Sequence, residues 1–384
     1  MIQFPRFPLS CQLDSLEMTP EQLEQAREYN RAQLKFTLWD KALDFVYMGT
    51  AAFVLAKPLG DYLAQQPWAH GQITQLAIII LTFFVLHIIV SAPISFYSGF
   101  ALEHKYGLSN QTVGAWVVKQ IKQYLLVGLV ELAYMTGLFM LIFYAGIWWI
   151  PLAVAIFFLL SVVLGMLLPV LILPLFYKIE KLENETLLAG LQRLTEGTSL
   201  TLEGVYKMNL SSETVKANAM LAGFGATRRV ILGDTLLDSF AQDEIETVFA
   251  HEIGHHVHSH LWKMIPISLL FSAVSFAICD GMIRLLTGAE GFSYSSVQPW
   301  IIIPIQFFLL TVVTFYEPLS NAISRRFERQ ADAYALAHCG ADAYIRAFTR
   351  LGKLNKADPN PPKWEVIWFE SHPPIGERIA MAKK

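Results

Sequence analysis

Charge is what this chain has least of. Of its 384 residues only 16% are Asp, Glu, Lys or Arg, whereas 54% are hydrophobic, and the mean hydropathy is +0.41. A soluble globular domain carries about 25% charged residues, so an ordinary water-soluble enzyme is excluded. Cysteine is nearly absent too: Cys11, Cys279 and Cys339 are scattered, which excludes a disulfide framework and implies reduced thiols. Glycine and proline show no period, so a collagen-like chain is excluded, and the apolar excess excludes intrinsic disorder. With a net charge of −3 and a pI near 6.4 there is no basic footprint for nucleic acid. Residues 1–36 lack the apolar core of a signal peptide, so none is expected there.

The apolar residues are clustered. Between Tyr124 and Phe176 the only ionisable carboxylate is Glu131, and there is no Lys or Arg. A bilayer core about 30 Å thick takes about 20 apolar residues per helix. Six segments meet or approach that length, at 37–56, 73–95, 124–146, 151–175, 262–286 and 299–316. The third and fourth are separated by Gly146, Trp148, Trp149 and Pro151, which suit a hairpin turn with interfacial tryptophans. Asp40, Lys41 and Asp44 open the first segment, which therefore starts at the interface or lines a wet cavity. In this plan 27 of the 29 basic residues fall on one side, leaving only Lys57 and Arg284 on the other. The cytoplasmic face holds the basic excess, so both termini and the large polar segment are expected there.

The fold class is therefore mainly α: a polytopic membrane protein with about six transmembrane helices and a cytoplasmic α+β region, whose zincin-like character rests on the motif at 251–255. The domain plan is an arm at 1–36, helices 1–4 at 37–176, a polar segment at 177–261, helices 5–6 at 262–316 and a C-terminal segment at 317–384. Within the first polar block the pattern predicts a helix around 182–194, strands at 205–210 and 229–234, and a turn at 222–225. A helix is expected from about 243 to 260, with Asp243, Glu244 and Glu246 in its first turns, where the helix dipole favours acids.

That last helix contains His251-Glu252-Ile253-Gly254-His255, an H-E-x-x-H motif. Residues four apart share a helix face, so His251 and His255 can present two imidazoles to one Zn²⁺ while Glu252 projects beside them as a general base. His256 and His258 point off that face, and His260 lies beyond one turn, so all three are expected to be decoys rather than ligands. A catalytic zinc takes three protein ligands. Glu328 and Asp332 are also four apart; alone such a pair is more often a solvated helix face, but beside H-E-x-x-H Glu328 would complete the ligand set and Asp332 would accept from the second ring nitrogen of a ligand histidine. No fourth protein ligand is evident, which argues against a closed structural site. Read alone, Asn218 is a turn residue and His372 a loop histidine. Glu103, Lys105, Asp40 and Asp44 read as interfacial ion pairs or solvated helix ends.

In these motifs the chain resembles the integral-membrane zinc endopeptidases of the CAAX prenyl protease type 1 family. The resemblance is carried by 102–112, Pro174-Leu175-Phe176, Asn218-Ala219, 229–237, 251–255, 324–333 and 371–378. It implies that His251, His255 and Glu328 are the zinc ligands, that Glu252 is catalytic and that Asp332 supports a ligand. Asn218 and His372 would then hold the substrate backbone and steady the oxyanion. It also implies a water-filled chamber enclosed by the helices. Substrates would be peptides or proteins, prenylated or membrane-associated. The strand near Asn218 suggests that the peptide adds to a sheet edge. A short link at 238–249 in place of a long insertion points to a compact, bacterial-type member, in the inner membrane; a eukaryotic member would sit in the endoplasmic reticulum membrane. Two rivals remain at this level: a quality-control protease of membrane proteins, and a non-catalytic transporter or chaperone with structural zinc.

Overall fold

The computed structural model describes residues 18–198, 200, 204–223, 228–288 and 291–384; Cys11 and the turn positions 224 and 225 lie outside them. Helix α1, Pro20–Thr50, opens on a capping box, in which the Thr19 hydroxyl accepts from Gln22 N (3.2 Å) and the Gln22 side chain accepts from Thr19 N (3.1 Å). It continues through a π-helical turn, Ala51–Leu55, into α2, Ala56–Ala64. The polar first turns and the first apolar segment are thus one rod. Helix α3, Gln72–Phe96, runs through a second π turn into α4, Leu102–Lys105. Then come α5, Val113–Ala145, and α6, Trp149–Leu167.

The polar block begins with β1, Ile179–Lys181, and α7, Glu185–Thr195. Strands β2 (Gly204–Met208), β3 (Ala219–Ala222) and β4 (Arg229–Gly233) follow, then the short α8, Asp234–Ser239. The chain closes with α9 (Gln242–Val257), α10 (His260–Thr287), α11 (Ile302–Cys339), α12 (Ala341–Leu354), α13 (Lys363–Phe369) and α14 (Ile375–Ala382).

Among the described residues five stretches are long and apolar enough to cross a membrane: Pro20–Ala64, Gln72–Lys105, Val113–Leu175, His260–Thr287 and Pro299–Cys339. The third is folded back on itself. Gly146, at φ 56°, ends α5, and the Tyr134 and Phe157 rings pack tilted against each other, 4.0 Å apart, across the two helices that the turn joins. All six expected segments therefore lie in these stretches. Their outward side chains are apolar, with Leu125, Leu129 and Phe315 largely exposed. A continuous apolar belt of this kind needs lipid around it.

There are two main cores. One lies among the membrane helices, around Leu76, Ile79, Leu138, Phe139, Trp149 and Ile302; the other packs the sheet against α7, α9 and α12 through Leu191, Val230, Leu236, Phe249 and Ala347. The sheet order is β1-β2-β4-β3, with β2 and β4 parallel and the other pairs antiparallel. The short β3 is therefore an edge strand. An ion pair ties the two regions together: Lys216 bonds Glu103 at 2.8 Å, and Tyr29 of α1 donates to the same carboxylate at 2.5 Å. Between α1, α3, α5 and α11 lies a cavity of about 800 Å³, and Asp44, bonded to His87 at 2.8 Å, faces it.

Candidate metal centre

Three helices build the site. Helix α9 carries His251, Glu252 and His255; α11 carries Glu328 and Asp332; His372 sits just ahead of α14. Helices α9 and α11 approach with almost no side chain between them at Gly254, where a Cβ would lie 2.8 Å from Ala331 Cα and 3.0 Å from Ala331 O. Only glycine permits that distance. It sets the two histidines against the carboxylate of the facing helix.

His251 Nε2 and His255 Nε2 lie 3.2 Å apart. Glu328 Oε2 is 3.2 Å from the first and Glu328 Oε1 3.3 Å from the second. Donors bound tetrahedrally at about 2.0–2.1 Å from zinc are separated by roughly 3.3 Å, so this triangle has the size the ion requires. Its chemistry fits as well: two imidazoles and one carboxylate are a usual donor set for a catalytic zinc. Glu328 Oε2 is buried without a hydrogen bond, an oxygen that a cation would satisfy. Among the described residues these three are the group of ligand-type side chains that converges in this way.

The surroundings hold the triangle in place. His251 Nδ1 is 2.9 Å from Asp332 Oδ1, and Arg378, from α14, donates to both Asp332 oxygens. Asp332 is completely buried, and the Arg378 guanidinium lies 3.9 Å from the centre of the Phe348 ring. Burial pushes the His251 imidazole down, but the Asp332 and Glu328 carboxylates beside it outweigh that and lift it to about 9. A divalent cation binding here has to displace that proton.

Asn218 is exposed at the start of β3, and its backbone is clamped. Gly233 N donates to Asn218 O at 2.9 Å, and Asn355 bonds Ala217 on both sides of its peptide unit. Asp234 anchors the preceding turn, accepting from Leu210 N and Ser211 N at 2.8 Å each and from Ser211 Oγ at 2.6 Å. Two adjoining cavities, of about 360 and 540 Å³, share Ala219, His251, Glu252 and His372. Asn218, Leu236, Val248 and Phe348 line the smaller; Met220, Leu221, Arg228 and Phe327 line the larger. The β3 edge thus runs beside the triangle. His372 Nε2 reaches to 3.5 Å from Glu328 Oε1, and its Nδ1 pairs with Ser371 Oγ at 3.0 Å.

The structure therefore brings together His251, His255, Glu328, Asp332, Glu252 and His372, with Asn218 along the same groove. One expectation is corrected: helix α9 ends at Val257 rather than near 260. His260 stands outside the three converging donors, but it is buried, with Nδ1 at 3.0 Å from His255 Nδ1. Arg378, Asn355 and Asp234 were not singled out in the sequence. Arg378 and Asp234 do stand inside the motif blocks that carry the family resemblance, which is the one signal that could have found them.

Residues 181–384 match the family model described as peptidase family M48, and residues 12–178 match that of the CAAX prenyl protease N-terminal, five membrane helices. CAAX prenyl protease 1 of Saccharomyces cerevisiae is 27% identical over 94% of this chain and 86% of its own length. The human CAAX prenyl protease 1 homolog is 26% identical over 81% and 74%, and the uncharacterized metalloprotease YhfN of Bacillus subtilis is 29% identical over 78% and 72%. The crystal structure of S. mikatae Ste24p has the same fold, with a TM-score of 0.81 over 94% of this chain and 89% of that one at 24% identity. With its catalytic-family match spanning more than half of the sequence, the chain belongs to peptidase family M48 and is a multi-pass membrane metalloprotease.

Proposed function

We propose that the protein is a zinc endopeptidase in which His251, His255 and Glu328 hold one Zn²⁺. The observation that carries this reading is the triangle of donor atoms 3.2–3.3 Å apart. Zinc held there would supply Lewis acidity, polarising the scissile carbonyl and lowering the pKa of the attacking water toward about 7. Glu252, half-buried on the groove between the two cavities, takes the proton from that water and passes it to the leaving amine. Asp332 accepts from His251 Nδ1–H and so turns Nε2 toward the metal. The edge strand β3 and the Asn218 amide receive the extended substrate backbone, and His372 donates to the developing oxyanion, an interaction worth about 3 kcal/mol where a single donor has been removed from such a site.

The substrates proposed are C-terminal peptides bearing a prenyl group, the class that the names of the eukaryotic relatives describe. The catalytic region is assigned to the cytoplasmic side, because 27 of 29 basic residues lie on that face of the plan. Mass-spectrometric mapping of products from a farnesylated C-a-a-X peptide and its unprenylated twin, with Glu252→Gln as control, tests the reading. Cleavage after the prenylated cysteine, favoured over the twin and lost in Glu252→Gln by about 10²–10⁴-fold, is expected. Cuts indifferent to the lipid but lost in the mutant would indicate a broader membrane protease. Near-normal turnover by Glu252→Gln would end the mechanism.

A further inference from the structure

Between α9 and α10 the chain turns at Ser259, whose φ of 55° is left-handed. This turn swings His260, the first residue of a membrane helix, back against the metal-site helix. Its Nδ1 lies 3.0 Å from His255 Nδ1 and its Nε2 lies 2.8 Å from Gln330 Oε1. The ring is 4% exposed and lies flat on Phe327, with centroids 4.3 Å apart and planes 10° from parallel.

A neutral imidazole has one N–H and one bare nitrogen, so these contacts assign one another. The Gln330 oxygen can only accept; His260 Nε2 therefore carries the hydrogen and His260 Nδ1 is bare. Bare, it accepts from His255 Nδ1–H. His255 is then left with its lone pair on Nε2, the atom that faces His251 Nε2 and Glu328. Turning the Gln330 amide round reverses every step and points an N–H of His255 into the triangle, which shuts out a cation. We infer that His260, oriented by Gln330, is a positioning residue that holds His255 in the one neutral tautomer able to bind a metal ion through Nε2. The inference rests on the zinc reading above. The two histidines are held differently: His251 by a buried carboxylate, His255 by a neutral relay that begins on a membrane helix. Phe327 and Gln330 flank Glu328 on α11, so the relay joins α9, α10 and α11.

The test is zinc affinity of the purified full-length protein, by competition with a chromophoric chelator, together with the visible spectrum of the Co²⁺-substituted form. His260→Ala is expected to weaken zinc binding by about 10–100-fold and to shift the Co²⁺ bands. His260→Asn, whose Oδ1 can accept where Nδ1 did, recovers most of that loss. Gln330→Met weakens binding less than His260→Ala and supplies the test if the alanine variant fails to fold. His255→Ala is the control. If it loses zinc while His260→Ala and Gln330→Met keep wild-type affinity and spectrum, the positioning role is overturned and the zinc reading stands. Equal losses in His260→Ala and His260→Asn would also overturn it, since packing alone would then explain the effect. Undiminished zinc in His255→Ala would overturn the zinc reading instead.

Discussion

Asn in place of Asp332 would remove a negative charge from a position water does not reach, and leave the Arg378 guanidinium without its partner. Arg378 makes two hydrogen bonds to Asp332 and is itself buried. Breaking a buried pair from one side costs about 3–5 kcal/mol, because the surviving charge stays desolvated. Its contact with the Phe348 ring is present in both proteins and so cancels from the difference. The same two helices carry an internal control. Arg329 and Glu377 pair at 2.9 Å with both side chains about half exposed, and such a pair is worth at most about 1 kcal/mol. Unfolding of zinc-stripped protein in detergent, followed by denaturant or heat, should therefore show Asp332→Asn falling well below Glu377→Gln. A second readout on the loaded protein should show zinc affinity lowered by about 10–100-fold in Asp332→Asn alone, because His251 Nδ1 loses its carboxylate. Equal destabilisation by the two variants would refute the argument that burial decides the energy of these pairs.

Glu328→Ala should bring bound zinc well below stoichiometric while His258→Ala leaves it unchanged; equal metal content by atomic emission would reassign the third ligand. Gly254→Ala should push α9 from α11, since the added methyl has backbone against it, and both metal affinity and thermal stability should drop; wild-type values for both would show that the helices can yield. The carboxyl of Asp234, despite the opposing effect of burial, is held below the ordinary range by its hydrogen bonds from Ser211, Leu210 and Thr235. Its stabilising effect is thus fully present above about pH 3.9, the unfolded value, and is lost as pH falls through the lower folded value. Asp234→Asn should therefore destabilise the protein at neutral pH, with the gap from wild type closing below about pH 4; a gap that widens in acid would contradict this. In sealed inside-out vesicles, cysteines introduced at exposed positions such as Glu183 and Lys363 should label from outside, and labelling only after permeabilisation would reverse the proposed topology.

Much of the architecture was legible because it is local. Apolar runs of about 20 residues announced the helices, and the spacing of His251 and His255 placed two imidazoles on one face wherever that helix might pack. The position of His260 was not legible, since the helical period was carried past Val257 and the left-handed Ser259 ends it there. The continuity of α11 was likewise hidden. Its apolar half and its Glu328–Asp332 half read as two segments, yet one helix carries the carboxylate straight out of the membrane region.

By itself, then, the sequence determined the membrane class, the metal-site helix and the residue types able to hold zinc, because periodicity and i,i+4 spacing depend only on neighbours along the chain. Tertiary structure alone decided that Gly254 lets α9 lie against α11, that Arg378 closes on Asp332, that β3 is an edge strand and that His260 reaches back to His255. These pairings join residues distant in sequence or lying across a break in helical period, and only the packing of helix on helix brings their atoms within bonding distance.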